Sequence, residues 1–134
     1  MIIPTIHFNG NCDEAIKLYK QVLNVQVDKI NYAKDAPEGY GLEQLPPNNV
    51  MHSEIIIAGS KFSLTDGAEK PLSSDNFSLL IFFDTKEELT EAFNKLSAGG
   101  KVIEPIGSQF WASLYCMFED KFGLGWQFMI KADA

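Results

Sequence analysis

Cysteine is nearly absent: Cys12 and Cys116 are the only two in 134 residues. That excludes a disulfide framework and makes a reducing cytoplasm the expected setting. Long apolar runs are missing too. None approaches the roughly 18 residues needed to cross a bilayer, and the chain starts straight into a strand without the basic leader of a signal peptide. No membrane partner is expected. Basic residues are scarce, 11 Lys and Arg against 18 Asp and Glu, for a formal net charge of −7. Such a surface repels phosphate backbones and no basic run offsets it, which removes nucleic acid from the expected partners. A cationic small molecule suits this charge, although acidity of this degree also serves solubility alone. No glycine-rich loop joins a strand to a helix and no doubly wound α/β pattern is present, so the sequence offers no site for S-adenosylmethionine and no cofactor is predicted.

What is present is globular: 46% apolar and 22% charged residues, in a length that suits one domain. Ile2 to Phe8 is a β-prone run ended by the turn Asn9-Gly10-Asn11. Asn11 and Glu14 form a capping-box pattern, and Ala15, Ile16, Tyr19, Val22 and Leu23 recur at helical spacing, which predicts a helix over 13–23. Val25 to Tyr32 reads as a strand. Lys34 to Asn49, with three prolines and two glycines, reads as a long loop of the kind that often covers or binds something. Met51 to Ile57 and Lys61 to Thr65 flank an Ala58-Gly59-Ser60 turn, and Asp66 to Asn76 is a connector. The pattern then restarts. Phe77 to Phe83 is a strand, Thr85 with Glu88 caps a helix over 86–97, Gly99-Gly100 stops it, and Val102 to Pro105 is a short strand. The closing hairpin runs from Phe110 to Phe118 and from Leu124 to Ile130 around Glu119–Gly123. The chain thus reads as one α+β domain of two βαβββ modules, about 1–65 and 77–134, forming paired sheets around a cleft with helices outside.

Within that reading His52 and Glu54 lie two apart on a strand and share a face, opposite Ser53, Ile55 and Ile57, which meet a helix. A His–carboxylate pair can act as a general acid–base couple or hold a polar ligand group, and a solvated strand face is the plain alternative. Cys12, at a helix start with Asp13 and Glu14 beside it, reads as structural, and Cys116, inside an apolar run, as a small core residue. Phe8, Phe82, Trp111, Tyr115 and Trp126 exceed what one small core needs, so some should wall a ligand cleft.

The segment Phe8 to Tyr19, Met51-His52-Ser53-Glu54, Phe110-Trp111, and Asp120 to Gly123 followed by Trp126 resemble the PhnB-like group. That group sits in the vicinal oxygen chelate superfamily with glyoxalase I, extradiol dioxygenases and bleomycin-resistance proteins, and the resemblance spans nearly the whole chain. It implies a cup-shaped half-barrel with helices outside, assembled as a homodimer. It also implies four metal-ligand positions, on the first and last strand of each module, which fall at Pro4, Ser63, Ser78 and Gln127. Only Gln127 can serve a divalent metal, so a metal-free protein is expected. With Pro4 and Ser78 marking the concave side, strand phase places Phe8, Phe82 and Gln127 inside and Trp126 outside, and turns His7 outward toward a helix. The proposed ligand residues are Phe8, Phe82, Tyr115 and Gln127. Proteins of this group have carried a ubiquinone-methyltransferase label, which the absent glycine-rich loop does not support. Two functions follow: a metal-free binder of a small aromatic or cationic molecule, as bleomycin-resistance proteins are, or an enzyme of the superfamily, metal-dependent or using His52 and Glu54 as acid and base. The first is favoured, and whether the chain is an enzyme stays open.

Overall fold

A computed structural model describes residues 1–133. The chain divides into two compact units, Met1–Leu72 and Ser73 onward. The first holds β1 (Thr5–Phe8), α1 (Cys12–Val22), β2 (Val25–Tyr32), β3 (Val50–Ile57) and β4 (Ser60–Asp66). The second holds β5 (Leu79–Phe82), α2 (Lys86–Leu96), β6 (Lys101–Gln109), β7 (Ala112–Glu119) and β8 (Gly125–Lys131). Each unit is a four-stranded sheet, ordered β1-β4-β3-β2 and β5-β8-β7-β6. In both, the first strand runs parallel to the last and the other pairings are antiparallel. The βαβββ repeat and the α+β class are therefore as the sequence reads.

Helix α1 forms where the apolar spacing puts it, with Cys12, Ala15, Ile16 and Tyr19 buried on one face. Its cap is not the expected one. The Asn11 side chain makes no capping bond. Asp66, at the end of β4, accepts instead: Oδ1 from the backbone N–H of Gly10 at 2.8 Å and of Cys12 at 3.1 Å, and Oδ2 from Val50 N–H at 2.8 Å. One buried carboxylate thus joins the start of the helix, the start of β3 and the end of β4, and places a negative charge at the positive end of the helix dipole. Helix α2 follows the sequence more closely, with Thr85 Oγ1 accepting from Glu88 N–H at 3.2 Å. The long loop after β2 is closed at its base, where Ala33 N–H donates to Asn49 C=O and Lys34 N–H to Pro47 C=O. The Tyr32 hydroxyl fastens that base to α1 by donating to Asp13 Oδ1 at 2.5 Å.

Strand ends shift by a few residues: β1 begins at Thr5 rather than Ile2, β5 at Leu79 rather than Phe77, and β6 extends to Gln109. Pro105 fits within β6 because β6 is an edge strand with a free side. The larger correction concerns phase. In β1 it is Ile6 and Phe8 that are buried, Phe8 at 1% exposure, while Thr5 and His7 face out. In the second unit Leu80 and Phe82 are exposed and the ring that packs inward is Phe83, 4.8 Å from Phe128. The strand-to-helix connection is Asn9-Gly10-Asn11 in one unit and only Asp84-Thr85 in the other. Counting from the helix caps therefore equates Phe8 with Phe82, whereas packing equates it with Phe83. Phe8 is a core residue, not a ligand residue. The same one-residue offset moves the equivalent ladder pairs to Thr5–Ser63 and Leu80–Gln127, so Pro4 and Ser78 are not the matching positions.

In the second unit Trp126 is fully buried and donates from Nε1 to Asp120 Oδ2 at 2.9 Å, with Phe118 edge-on to both Phe93 and Phe128. Both cysteines are free and buried. Burial pushes the Cys116 thiol up to about 11, partly opposed by a backbone hydrogen bond from Phe128. Burial, with Asp66 and Asp13 nearby, raises Cys12 well above the usual thiol range. Neither thiolate forms at neutral pH, so an aromatic disulfide reagent at pH 8 should label neither cysteine in the native protein and both after denaturation. Labelling of Cys12 at the rate of a free peptide cysteine would show that the start of α1 opens.

Candidate functional site

Period-two alternation builds a polar face on the first sheet. Ile6, Phe8, Ser53, Ile55, Ile57 and Leu64 turn inward, leaving Thr5 and His7 of β1, His52 and Glu54 of β3, and Lys61, Ser63 and Thr65 of β4 on the other side. A cavity of about 360 Å³ lies on this face, with Thr5, Asp28, His52, Glu54, Ser63 and Thr65 among its lining. Thr5 and Ser63 are direct partners in the β1–β4 ladder, and Thr65 pairs with His7. The Thr65 hydroxyl lies 3.0 Å from His7 Nδ1. His7 thus belongs to the polar face with Thr65, which corrects the expectation that it turns toward a helix. His52 Nε2 and Glu54 Oε2 are 3.7 Å apart, with 52% and 56% of their side chains exposed. Behind the face, buried Ser53 holds the ladder by donating to Leu64 C=O at 2.6 Å and accepting from Leu64 N–H at 2.9 Å.

The second sheet carries a different arrangement. Tyr115 donates its hydroxyl to Gln127 Oε1 at 2.7 Å, and Gln127 Nε2 donates to Ser78 Oγ at 2.6 Å. The three residues come from β7, β8 and the position just before β5, so they form a polar diagonal across the sheet. Trp111 stands edge-on to Tyr115 at 5.5 Å, and Phe110 edge-on to Trp111 at 4.8 Å. Phe82 is 52% exposed and has Lys131 Nζ 5.0 Å from its ring centre. Burial, then the nearby Cys116 and Glu104, raises the pKa of Tyr115, which keeps it a phenol.

The structure therefore brings Tyr115, Gln127, Ser78 and Phe82 onto one sheet, and His52 and Glu54 onto the other with Ser63. Sequence reasoning missed Thr5, His7, Thr65 and Asp28. The signal for the first two was available: the alternation Thr5-Ile6-His7-Phe8 separates polar from apolar without any appeal to the helix cap.

A divalent transition metal fits poorly. The ladder pairs at the first and last strands supply two hydroxyls, an aliphatic side chain and an amide, where imidazole or carboxylate is wanted. The amide of Gln127 is engaged at both ends. Among the described residues no three His, Cys, Asp or Glu come together in a way that could hold a metal.

Comparison with known proteins agrees with this architecture. The model of the family described as 3-demethylubiquinone-9 3-methyltransferase matches residues 1–129. Protein YjdN of Escherichia coli is 30% identical over 92% of this chain and 90% of its own length. The solved structure of a putative 3-demethylubiquinone-9 3-methyltransferase, PhnB protein, from Bacillus cereus superposes with a TM-score of 0.82, covering 96% of this chain and 98% of that one at 23% identity. The fosfomycin resistance protein FosX from Listeria monocytogenes shares the fold at a TM-score of 0.67, covering 98% and 93% at 10% identity. These likenesses give the chain the paired-βαβββ, glyoxalase/bleomycin-resistance-like fold. The chain belongs to the PhnB-like family, the one described as 3-demethylubiquinone-9 3-methyltransferase.

Proposed function

We propose that the protein is a metal-free binder of a small polar or cationic molecule, seated on the β1–β4–β3 face of the first unit. The observation that carries this is the cavity of about 360 Å³ with hydroxyls from Thr5, Ser63 and Thr65 and carboxylates from Asp28 and Glu54. Its size falls within the range of small-molecule sites, and its groups both donate and accept hydrogen bonds. Two carboxylates against the single lysine of that lining favour a cation over an anion. The methyltransferase activity in the family description is not part of the proposal, because each unit is a four-stranded sheet of mixed direction without the glycine-rich strand-to-helix turn that holds a nucleotide-like cofactor. A cytoplasmic setting suits the two free thiols. A homodimer suits the edge strand β6, where Val102 and Ile103 are both exposed. Light scattering that gives the mass of a single chain would remove the dimer.

The second reading, acid–base catalysis by His52 and Glu54, rests on their 3.7 Å approach. Both side chains are half in water, so the pair is not held in one geometry, and binding is the better supported role.

The test is a thermal-shift screen of metals, thiol conjugates, quinones, aromatic metabolites and cationic antibiotics. A hit at 100 times its dissociation constant should stabilise the fold by about 2.7 kcal/mol. Glu54→Gln and His52→Ala should keep the fold and lose most of that shift. A confirmed hit that stabilises both variants as much as the parent would place the site elsewhere.

A further inference from the structure

The long loop between β2 and β3 takes no part in the polar face. Beyond the two bonds at its base it is built from turns. Ala36 N–H donates to Ala33 C=O, Leu45 N–H to Leu42 C=O and Asn49 N–H to Pro46 C=O. Gly39 and Gly41 bend its tip at φ of +96° and +74°, which residues with a side chain rarely adopt. Pro37, Pro46 and Pro47, each with φ fixed by its ring, stiffen the loop against collapse. A space is left at its centre, a cavity of about 150 Å³ walled by Ala36, Pro37, Leu42, Leu45 and Pro47 and reached by Glu43. It shares no residue with the cavity on the polar face.

Two features of this cavity specify what fits it. Its walls are apolar, and about 150 Å³ is the space that one benzene-sized group fills. Water against such walls finds few partners, so an apolar group that displaces it gains. The charge around the cavity is also unbalanced. Lys34 lines it, but its Nζ lies 5.0 Å from the centre of the Tyr32 ring, which already engages that cation. Glu43 is exposed and has no hydrogen bond or ion pair among the described residues. A carboxylate beside an apolar cavity attracts a cation and repels an anion. Asp35 and Glu38 of the same loop add to that field.

We propose that the loop cavity is a second ligand site of the first unit, taking a small amine whose benzene-sized apolar group enters among Leu42, Leu45 and Pro47 and whose ammonium meets Glu43. Only the apolar part is enclosed. The ammonium stays in water beside an exposed carboxylate, so it avoids the desolvation cost of a buried ion pair. For the same reason its contribution is modest and screened by salt. The turns and prolines preform the loop, which limits the entropy lost on binding. This site and the one on the polar face fail independently.

Benzylamine, benzyl alcohol and benzoate carry the same ring with a positive, neutral and negative head at neutral pH. Backbone amide resonances of the full-length protein report where each one binds. Benzylamine should shift the amides of residues 33–45 and bind roughly threefold more tightly than benzyl alcohol, with benzoate the weakest. Raising the salt to about 1 M should remove most of that preference. Glu43→Gln should make benzylamine and benzyl alcohol bind alike. Ala36→Leu, which fills the cavity, should weaken all three probes, and the Ala36 backbone at φ −73° and ψ 138° accepts leucine without strain. Binding of none of the probes at about 1 mM, equal binding of all three, or a benzylamine preference that survives Glu43→Gln would each overturn the proposal. So would shifts confined to residues 52–65, which would assign the amine to the polar face instead.

Discussion

Replacing Asp66 by alanine should lower the unfolding free energy by about 4 kcal/mol, since three charge-assisted backbone hydrogen bonds at roughly 1.5–3 kcal/mol each are lost with incomplete additivity. The carboxylate is 8% exposed and holds the N–H groups of Gly10, Cys12 and Val50. Removing it strands donors that the chain cannot turn to solvent without opening the start of α1. Asparagine is no remedy: it keeps one acceptor, but its amide nitrogen then faces an N–H. The effect should reach the polar face as well, because β4 carries Ser63 and Thr65 just ahead of Asp66 and β3 begins at Val50. Chemical denaturation measures the loss, and a midpoint lower by roughly 15 °C should accompany it. A loss below about 1 kcal/mol would mean that water replaces the carboxylate and that the junction is not a point of closure.

Asp66 also shows where reading the sequence stops. Its position after Thr65 in a run rich in Asp and Gly marks it as the start of a connector, and nothing local says that it serves a helix more than 50 residues earlier. Long-range capping has no sequence period. The repeat, by contrast, was legible because amphipathic spacing, cap pattern and turn glycines recur in both halves: Gly59 and Gly123 stand four residues before Ser63 and Gln127, which occupy matching ladder positions. Facing was legible where alternation alone decided it. His52 and Glu54 separate from Ser53, Ile55 and Ile57 by simple parity, and the structure keeps that separation. Facing failed where it was carried across the repeat from the helix caps, since one additional residue, with Gly10 turning at φ +90°, reverses parity. That reversal put Phe8 in the ligand set and turned His7 toward a helix. The link between Tyr115, Gln127 and Ser78 was beyond reach for another reason: diagonal contacts across three strands depend on register, which turn spacing fixes only for neighbours.

Gly100→Ala should be the most damaging single substitution in the second unit, costing more than about 4 kcal/mol, in the range reserved for changes the surroundings cannot absorb. A Cβ at Gly100 would lie 2.0 Å from the carbonyl oxygen of Glu119, 2.8 Å from the carbonyl carbon of Asp120 and 3.0 Å from its Cα. All three are backbone atoms, so no side chain can swing aside. The strand must move, and the first β6–β7 pair, Lys101 with Glu119, sits at that point. Asp120 cannot follow freely, because its Oδ1 accepts from Phe122 N–H at 2.8 Å and Leu124 N–H at 3.1 Å while Oδ2 holds the indole of buried Trp126. Relief of the clash therefore passes into the centre of the core. Gly99→Ala is the control. Its φ of +77° makes alanine strained there, and its nearest neighbour is the Cβ of Lys121 at 3.3 Å, a contact that a shift of a few tenths of an ångström relieves. That change should cost only about 1–2 kcal/mol. Denaturation of the two variants, followed by Trp fluorescence, separates the effects: Gly100→Ala should expose Trp126 even without denaturant, and Gly99→Ala should not. If Gly100→Ala instead unfolds within about 1 kcal/mol of the parent, a measurable but ordinary change, then β6 and the β7–β8 turn are less closely joined than this geometry requires.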